Sequence, residues 1–370
     1  MTLKHTTRHT TPQEKTLVVR RSAAERYVLY TLVALAASVI VTRVYLELTG
    51  YPQIGGGNLH IAHVLWGGLL LYIAALLPLM FLGSRVLTWS AILNGVGAGL
   101  FIDEVGKFIT ANNDYFYPPA APLIYAFFLL SVLVYLTVRR DQVDTPQADL
   151  VRALDALPDL VQTPLAAAQR EAILHNLQSG ERSQNPPSAE LAALLANFMA
   201  QEHFAVVDRS QMNVWQRIWL LVTQNGQRAG QRVHRRLIMF LLGWNGLQAL
   251  LGLILLLLVV IFSAPSFQSL RTALINDQQL RDMNDWPWLL LQSILQLAVS
   301  LIALLAFYYF VRGKDAAGVK AAILSLTISL TMVVLLTFYL NQFAAISTAL
   351  FQFVFLVVVN AYRNWYVEEA

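Results

Sequence analysis

The chain has 370 residues, of which 56% are hydrophobic and only 13% are charged, and its mean hydropathy is +0.53. Soluble globular domains carry about a quarter charged residues, so this composition excludes that class and predicts a polytopic membrane protein. The sequence contains no cysteine, which excludes disulfides, thiolate metal ligands and cysteine nucleophiles.

Eight segments meet or approach the length needed to cross a bilayer, about 18 mainly apolar residues. The first has small residues in "ALAAS", as a signal peptide does, but its apolar run continues to Val41 and favours an uncleaved helix. Between the last two, only "NQF" at 341–343 offers a turn. The predicted spans are residues 27–48, 59–82, 86–109, 120–138, 237–263, 287–311, 317–340 and 343–362.

Lysine and arginine are concentrated before span one, after span four and before span five, whereas the opposite loops are poorer in them. Because cytoplasmic flanks carry the excess of positive charge, both termini are predicted to be cytoplasmic. These flanks also explain the pI of about 9.3, so no nucleic-acid partner is expected. The expected partners are the bilayer and anionic lipid head groups at the basic juxtamembrane segments.

Residues 139–235 are rich in Gln, Asp, Arg and Ala, and they separate two apolar halves. Apolar residues at three- and four-residue spacing predict several helices there, and Trp215, Ile218 and Trp219 before a basic end predict an interfacial helix. We interpret this insert as a helical cap, with docking of a protein partner as the alternative. The predicted division is a basic cytoplasmic tail 1–26, a four-helix half 27–138, a helical cytoplasmic insert 139–235 and a four-helix half 236–370.

Span two begins with two histidines three residues apart, in "GGGNLHIAHVLWGG" at 55–68. Asn58 is a good N-cap residue, so His60 and His63 lie in the first turns of the helix and share one face. Gly67, with Gly68 beside it, predicts the close approach of another helix.

Span three is the helix expected to approach, because Gly95 and Gly99 form a small-xxx-small pair. Two further steps of four residues reach Asp103 and Lys107, which lie at the same predicted outer level as the histidines.

Charge counting then predicts the pairing in this outer cluster. Span one ends with Arg43 and Glu47, four residues apart, and we expect these two to pair. Pairing of Lys107 with Asp103 leaves Glu104 as the acid that faces the two histidines.

Ionisable groups inside spans are costly and usually functional, and two of the open interpretations are chemical. One is a divalent metal ion that activates water for hydrolysis, with the ligand set His60, His63, Asp103 and Glu104. The other is a metal-free site in which a general base acts beside an anionic lipid-like head group. The candidate catalytic residues are His63, Glu104 and Lys107, and the candidate ligand-orienting residues are Arg43 and Asn58.

Two non-enzymatic interpretations remain beside these. The charges can pair into a salt-bridged lattice that orders spans one to three, which makes the protein a membrane scaffold. Alternatively, histidines and carboxylates can form the proton or ion path of a coupled transporter. Spans five to eight carry only neutral polar residues at mid-depth, which are typical of interhelical hydrogen bonds and weaken the transporter interpretation.

The succession "LHIAHVLWGGLLL" and "GLFIDEVGKFIT" within residues 55–117 resembles a pattern of uncharacterised bacterial integral membrane proteins and, more distantly, the VanZ-like arrangement. In that arrangement one helix offers a histidine and the next an acid near its end. The resemblance implies a protein of the bacterial inner (plasma) membrane and points to His60, His63, Asp103 and Glu104. It implies no reaction. The fold class expected is an all-α membrane protein of about eight helices, arranged 4+4 around the insert.

The predicted topology can be tested by labelling, because the natural chain has no cysteine to interfere. A single cysteine placed within residues 165–200 is expected to resist an impermeant maleimide in intact cells and to react after permeabilisation. Labelling from outside intact cells contradicts the predicted topology.

Overall fold

The structure is a computed structural model that describes residues 19–50, 62–112, 114, 117–140, 145–162, 167–200, 230–247, 250 and 286–367. Every regular element in these ranges is helical. The chain forms two compact units. Unit 1 comprises Met1–Tyr30, Leu76–Ala91 and Tyr135–Ser210, and unit 2 comprises Thr31–Ala75, Ile92–Val134 and Gln211–Ala370.

Thirteen α-helices and one π-helix are described in these ranges. In chain order they are α1 Ala24–Thr49, α2 His63–Met80, α3 Ser84–Asp103, α4 Val105–Ile109, α5 Ala120–Arg139, α6 Pro146–Gln162, α7 Ala167–Gly180, α8 Pro186–Ala200, α9 230–247, α10 Trp286–Val311, α11 Asp315–Ile328, the π-helix Ser329–Val333, α12 Val334–Leu340 and α13 Gln342–Tyr366.

Seven helical segments in the described part of the chain are long and apolar enough to span a membrane. They match seven of the predicted spans and confirm an all-α, multi-pass membrane protein. Predicted span five, 237–263, is described only to residue 247 and at residue 250, so the count of eight stays a prediction. The seven segments are Ala24–Thr49, His63–Met80, Ser84–Asp103, Ala120–Arg139, Pro287–Val311, Asp315–Leu340 and Ala344–Tyr366.

Two junctions between helices bear on the predicted spans. Predicted span three is not one helix: α3 ends at Asp103, and Glu104 has non-helical backbone angles (φ −90°, ψ 10°) before α4 starts. The predicted turn at 341–343 is confirmed, because Asn341 is extended and its side chain caps α13 by accepting from the Ala344 backbone N–H.

In unit 1, α6, α7 and α8 pack around a small apolar core, as their three- and four-residue spacing predicts. Arg20 closes the end of α5 by donating to the carbonyls of Thr137, Val138 and Arg140, which no longer have partners within the helix. The carboxylate of Asp159 accepts from the Ser84 backbone N–H at 2.8 Å, at the start of α3. The buried core residues of α6–α8 are Leu150, Ala153, Ile173, Leu177, Ala192, Ala196 and Met199.

In unit 2, α9, α10, α11 and α13 share an apolar core that includes Phe310, Phe355 and Tyr362. Neutral polar residues bond between helices of unit 2 as predicted: Ser325 of α11 donates to the Val299 carbonyl of α10 at 2.9 Å, and Gln292 of α10 donates to Thr337 of α12 at 2.9 Å. Such bonds help to hold packed helices together in a medium that cannot compete for them.

A polar cluster lies at the start of α11. The carboxylate of Asp315 accepts from Tyr362 at 2.5 Å and pairs with Arg235 at 3.1 Å. Nearby, His234 packs against the rings of Tyr362 and Trp365. Burial lowers the pKa of His234 below its usual value, because the charged imidazolium loses its hydration there.

Glycines allow α3 to lie against α1 and α2 in unit 2. A Cβ on Gly67 would lie 2.8 Å from the Gly97 carbonyl, so the prediction that span three approaches Gly67 is confirmed. Gly95 and Gly99 instead lie against α1, where a Cβ would meet the Thr31 carbonyl at 2.3 Å and Ser38 at 2.7 Å, respectively. A Cβ on the adjacent Gly68 meets no atom of the described residues within 4 Å, so the close approach is at Gly67.

The neighbouring glycines of α2 provide a matched test of this packing. Gly67→Ala is expected to destabilise the protein by about 1–3 kcal/mol, because the added methyl group meets backbone atoms that cannot rotate away. Gly68→Ala is expected to be neutral or slightly stabilising, since alanine has the higher helix propensity. Thermal unfolding in detergent, followed by tryptophan fluorescence, measures both, and equal unfolding temperatures for the two variants would contradict the packing.

Candidate functional site

Five ionisable side chains from four helical segments meet in unit 2. Arg43 comes from the last turns of α1, His63 begins α2, and Asp103 ends α3. Glu104 is the junction residue before α4, and Lys107 lies within α4. We refer to these five residues as the charged cluster. Sequence reasoning identified all five of them as candidate site residues.

The two acids of the charged cluster are almost completely buried, with 0% of Asp103 and 1% of Glu104 exposed. Arg43 pairs with Asp103, Nε to Oδ1, at 2.6 Å. Lys107 pairs with Glu104, Nζ to Oε1, at 2.7 Å. The Val64 backbone N–H also donates to Glu104, at 3.4 Å. Each buried carboxylate therefore has a cation as a direct partner, as burial of charge requires.

His63 lies between the two ion pairs. Its Nε2 is 3.3 Å from Asp103 Oδ2, and its Nδ1 is 3.3 Å from Glu104 Oε1. A neutral imidazole has one N–H and one lone pair, so it can donate to only one of these carboxylates.

The predicted pairing of the charges was wrong. Among the described contacts, Arg43 pairs with Asp103, where Glu47 was expected, and Lys107 pairs with Glu104, where Asp103 was expected. The cause is the junction at Glu104. Counting in steps of four assumes a continuous helix, but α3 ends at Asp103, and Lys107 then lies one turn from Glu104 in i,i+3 spacing.

Part of the predicted site lies outside the described residues, namely Asn58 and His60. Within the described ranges, no group of three or more His, Asp or Glu is arranged to hold a metal ion. His63, Asp103 and Glu104 do lie together, but the carboxylates contact Arg43 and Lys107. The metal site with His60 as a fourth ligand stays a prediction.

Sequence reasoning missed Gln342, the first residue of α13. Its side-chain Oε1 accepts a hydrogen bond from Arg43 Nη1, across 299 positions of sequence. Gln342 is buried, so the bond extends the charged cluster from the first helices of unit 2 to the last. The signal in the sequence was a polar residue within the predicted turn at 341–343. The turn by itself accounts for a polar residue at that position, so nothing further in the sequence singled it out.

A cavity of about 150 Å³ begins at Arg43 and Gln342. Apart from these two residues and the ring of Tyr125, its walls are aliphatic and phenylalanine side chains of α1, α5, α12 and α13, such as Leu35, Ile124 and Phe353. We call it the apolar cavity.

Tyr125 orders one wall of the apolar cavity. Its hydroxyl donates to the Leu330 carbonyl at 2.8 Å, and its ring stacks on Phe338 with 4.7 Å between centroids. Leu330 belongs to the π-helix Ser329–Val333. Such wide turns are rare in helices and frequently occur at functional sites. The tyrosine therefore presents its ring, not its hydroxyl, to the apolar cavity.

Comparison with known proteins finds no family model, no curated protein and no solved structure that matches the chain. The resemblance to the VanZ-like arrangement stays a prediction. The class of the protein therefore follows from its own fold, in which seven described helical segments can span a bilayer. It is an all-α, multi-pass integral membrane protein with a buried charged cluster.

The energetic role of the Arg43–Asp103 pair can be measured by removing one charge. Asp103→Asn is expected to cost about 3–5 kcal/mol of stability, because it leaves a buried guanidinium without a counter-charge. Arg21→Gln is the control, since Arg21 and Asp155 form an exposed pair that contributes about 0–1 kcal/mol. The double variant Arg43→Met with Asp103→Leu is expected to recover most of the loss. An unchanged unfolding temperature for Asp103→Asn would contradict this role.

Proposed function

We propose that the protein binds a single-chain amphiphile, with the hydrocarbon chain in the apolar cavity and an oxygen-bearing head group at Arg43 and Gln342. The observation that carries this proposal is the lining of the cavity: its walls are almost entirely apolar, and Arg43 and Gln342, which bond to each other, are among the residues that line it. From Leu35 to Arg43 the α1 wall is about 12 Å long, at 1.5 Å per residue.

The polar end determines which amphiphile is preferred. A hydrocarbon chain gains little by leaving lipid tails for an apolar cavity, because both surroundings are equally apolar. Discrimination therefore comes from packing and from the head group. Gln342 accepts from Arg43 through its oxygen, so the proposal assigns head-group recognition to its amide N–H groups. Donors of this kind recognise carboxylate, phosphate or ester oxygens.

Asp103 contributes by holding Arg43 in place. Arg43 is 6% exposed, and its guanidinium is held by Asp103 and by Gln342, so little side-chain entropy is lost when a ligand binds. The further hypotheses, hydrolysis with His63 or Glu104 as general base, metal binding, a scaffold and a proton path, remain alternatives to this binding function.

The test uses palmitic acid with a photoreactive diazirine in its chain, added to the purified protein in phosphatidylcholine nanodiscs. Mass spectrometry of the labelled peptides is expected to find residues 35–43 and 346–353. Ala36→Trp, which fills the apolar cavity, is expected to reduce this labelling several-fold. The matched control is Ala37→Trp, on the adjacent exposed position of α1, and it is expected to label like the wild type.

Gln342→Glu tests the head-group interaction. The new carboxylate still accepts from Arg43 but no longer offers N–H donors, so labelling by palmitic acid is expected to fall while labelling by the corresponding alcohol persists. Ile346→Trp serves as a second cavity-filling variant if Ala36→Trp unfolds. Labelling that spreads over exposed positions such as Val357 and is equal in Ala36→Trp and Ala37→Trp would contradict the proposal.

A further inference from the structure

Unit 1 contains a second cavity of about 300 Å³, larger than the apolar cavity and different in lining. Its walls come from the start of α1, the turn between α2 and α3, and the helices α6 and α7. We call it the arginine cavity, because Arg21, Arg26 and Arg152 all line it. None of these residues belongs to the charged cluster.

The acids of the arginine cavity are already engaged. Asp155 pairs with Arg21 at 3.3 Å, and Asp159 accepts from the Ser84 backbone N–H at 2.8 Å at the start of α3. Within the described ranges Arg26 makes no salt bridge, and its guanidinium lies 5.6 Å from the centre of the Tyr27 ring. Among the described residues that line the cavity, three arginines thus outnumber two carboxylates, which favours an anionic ligand.

Arg152 is fixed by its neighbours. It is about one-tenth exposed, pairs with Asp149 at 2.7 Å and donates to the Arg20 carbonyl at 3.3 Å. Asp149 is itself held by the Ser179 hydroxyl at 2.6 Å. A guanidinium held in this way is preorganised for phosphate, which it can meet with parallel N–H donors.

One rim of the arginine cavity is apolar. Phe81 and Leu82 follow the end of α2, line the cavity and are largely exposed. A ligand that matches both parts has a phosphate beside an apolar chain. Arginines that lie just beyond the ends of membrane spans are the usual site for such head groups.

We infer that the arginine cavity binds the phosphate of a glycerol phosphate group, at Arg26, Arg21 and Arg152. Two sources carry this chemistry, the head group of an anionic phospholipid and a soluble glycerol phosphate. The exposed rim at Phe81 and Leu82 favours the lipid. This site goes beyond the amphiphile-binding function, because it lies in another unit and is lined by other residues.

The experiment measures the unfolding temperature of the detergent-purified full chain with and without short-chain phosphatidylglycerol, since a ligand of the native state raises it. In the Arg26→Gln variant the lipid is expected to cause only a small part of this rise in unfolding temperature. Arg85→Gln is the matched control: it removes the same charge from an exposed position of unit 1 that does not line the cavity, and it is expected to keep the rise. Asp155→Asn is expected to enlarge the rise, because it releases Arg21 from its carboxylate.

Soluble glycerol 3-phosphate, tested in the same assay, distinguishes the two sources. If phosphatidylglycerol raises the unfolding temperature and glycerol 3-phosphate does not, the site is assigned to phospholipid. An equal rise with glycerol 3-phosphate upholds the phosphate site and assigns it to a soluble ligand. The inference would be overturned if Arg26→Gln and Arg85→Gln reduced the rise in unfolding temperature equally. It would also be overturned if neither compound raised the unfolding temperature of the wild type. None of these outcomes depends on the apolar cavity, so the two proposals can fail separately.

Discussion

Burial of charge among apolar helices is the constraint on which unit 2 depends. Asp103 and Glu104 have 0% and 1% of their surfaces exposed, and an uncompensated carboxylate at such a depth costs several kcal/mol. Each acid therefore needs a cation from a fixed direction. Arg43 supplies it from α1 and Lys107 from α4, while His63 contacts both acids from the start of α2. The pairing thus fixes the ends of these helices relative to one another.

The same constraint connects the charged cluster to the apolar cavity. Glycines bring α3 against α1 and α2 at backbone distance, and only then can short acids at the end of α3 reach Arg43 and His63. Arg43 in turn bonds to Gln342, the first residue of α13. One ion pair thereby supports both the packing of the first helices and the polar end of the cavity. A series of side-chain contacts runs from Lys107 through Glu104, His63, Asp103 and Arg43 to Gln342.

The sequence was sufficient for properties that depend on local pattern. Hydropathy predicted the class and seven of the spans, Asn341 marked the turn before α13, and periodicity predicted α6 to α8. It was insufficient for contacts that depend on how distant parts of the chain meet. The five residues of the charged cluster could be named, but their pairing could not, because nothing in the local pattern shows that α3 ends at Asp103. Gln342 and the arginine cavity depend on residues far apart in sequence, whose meeting no single segment encodes.

The central claim is that Asp103 and Glu104 are paired with Arg43, Lys107 and His63, and it predicts that neither acid binds a metal ion. Elemental analysis of the detergent-purified wild type beside His63→Ala tests this claim most directly. The account predicts no transition metal approaching one ion per chain in either protein. A near-stoichiometric metal in the wild type that is lost in His63→Ala would contradict it, and would assign the carboxylates to a metal site instead.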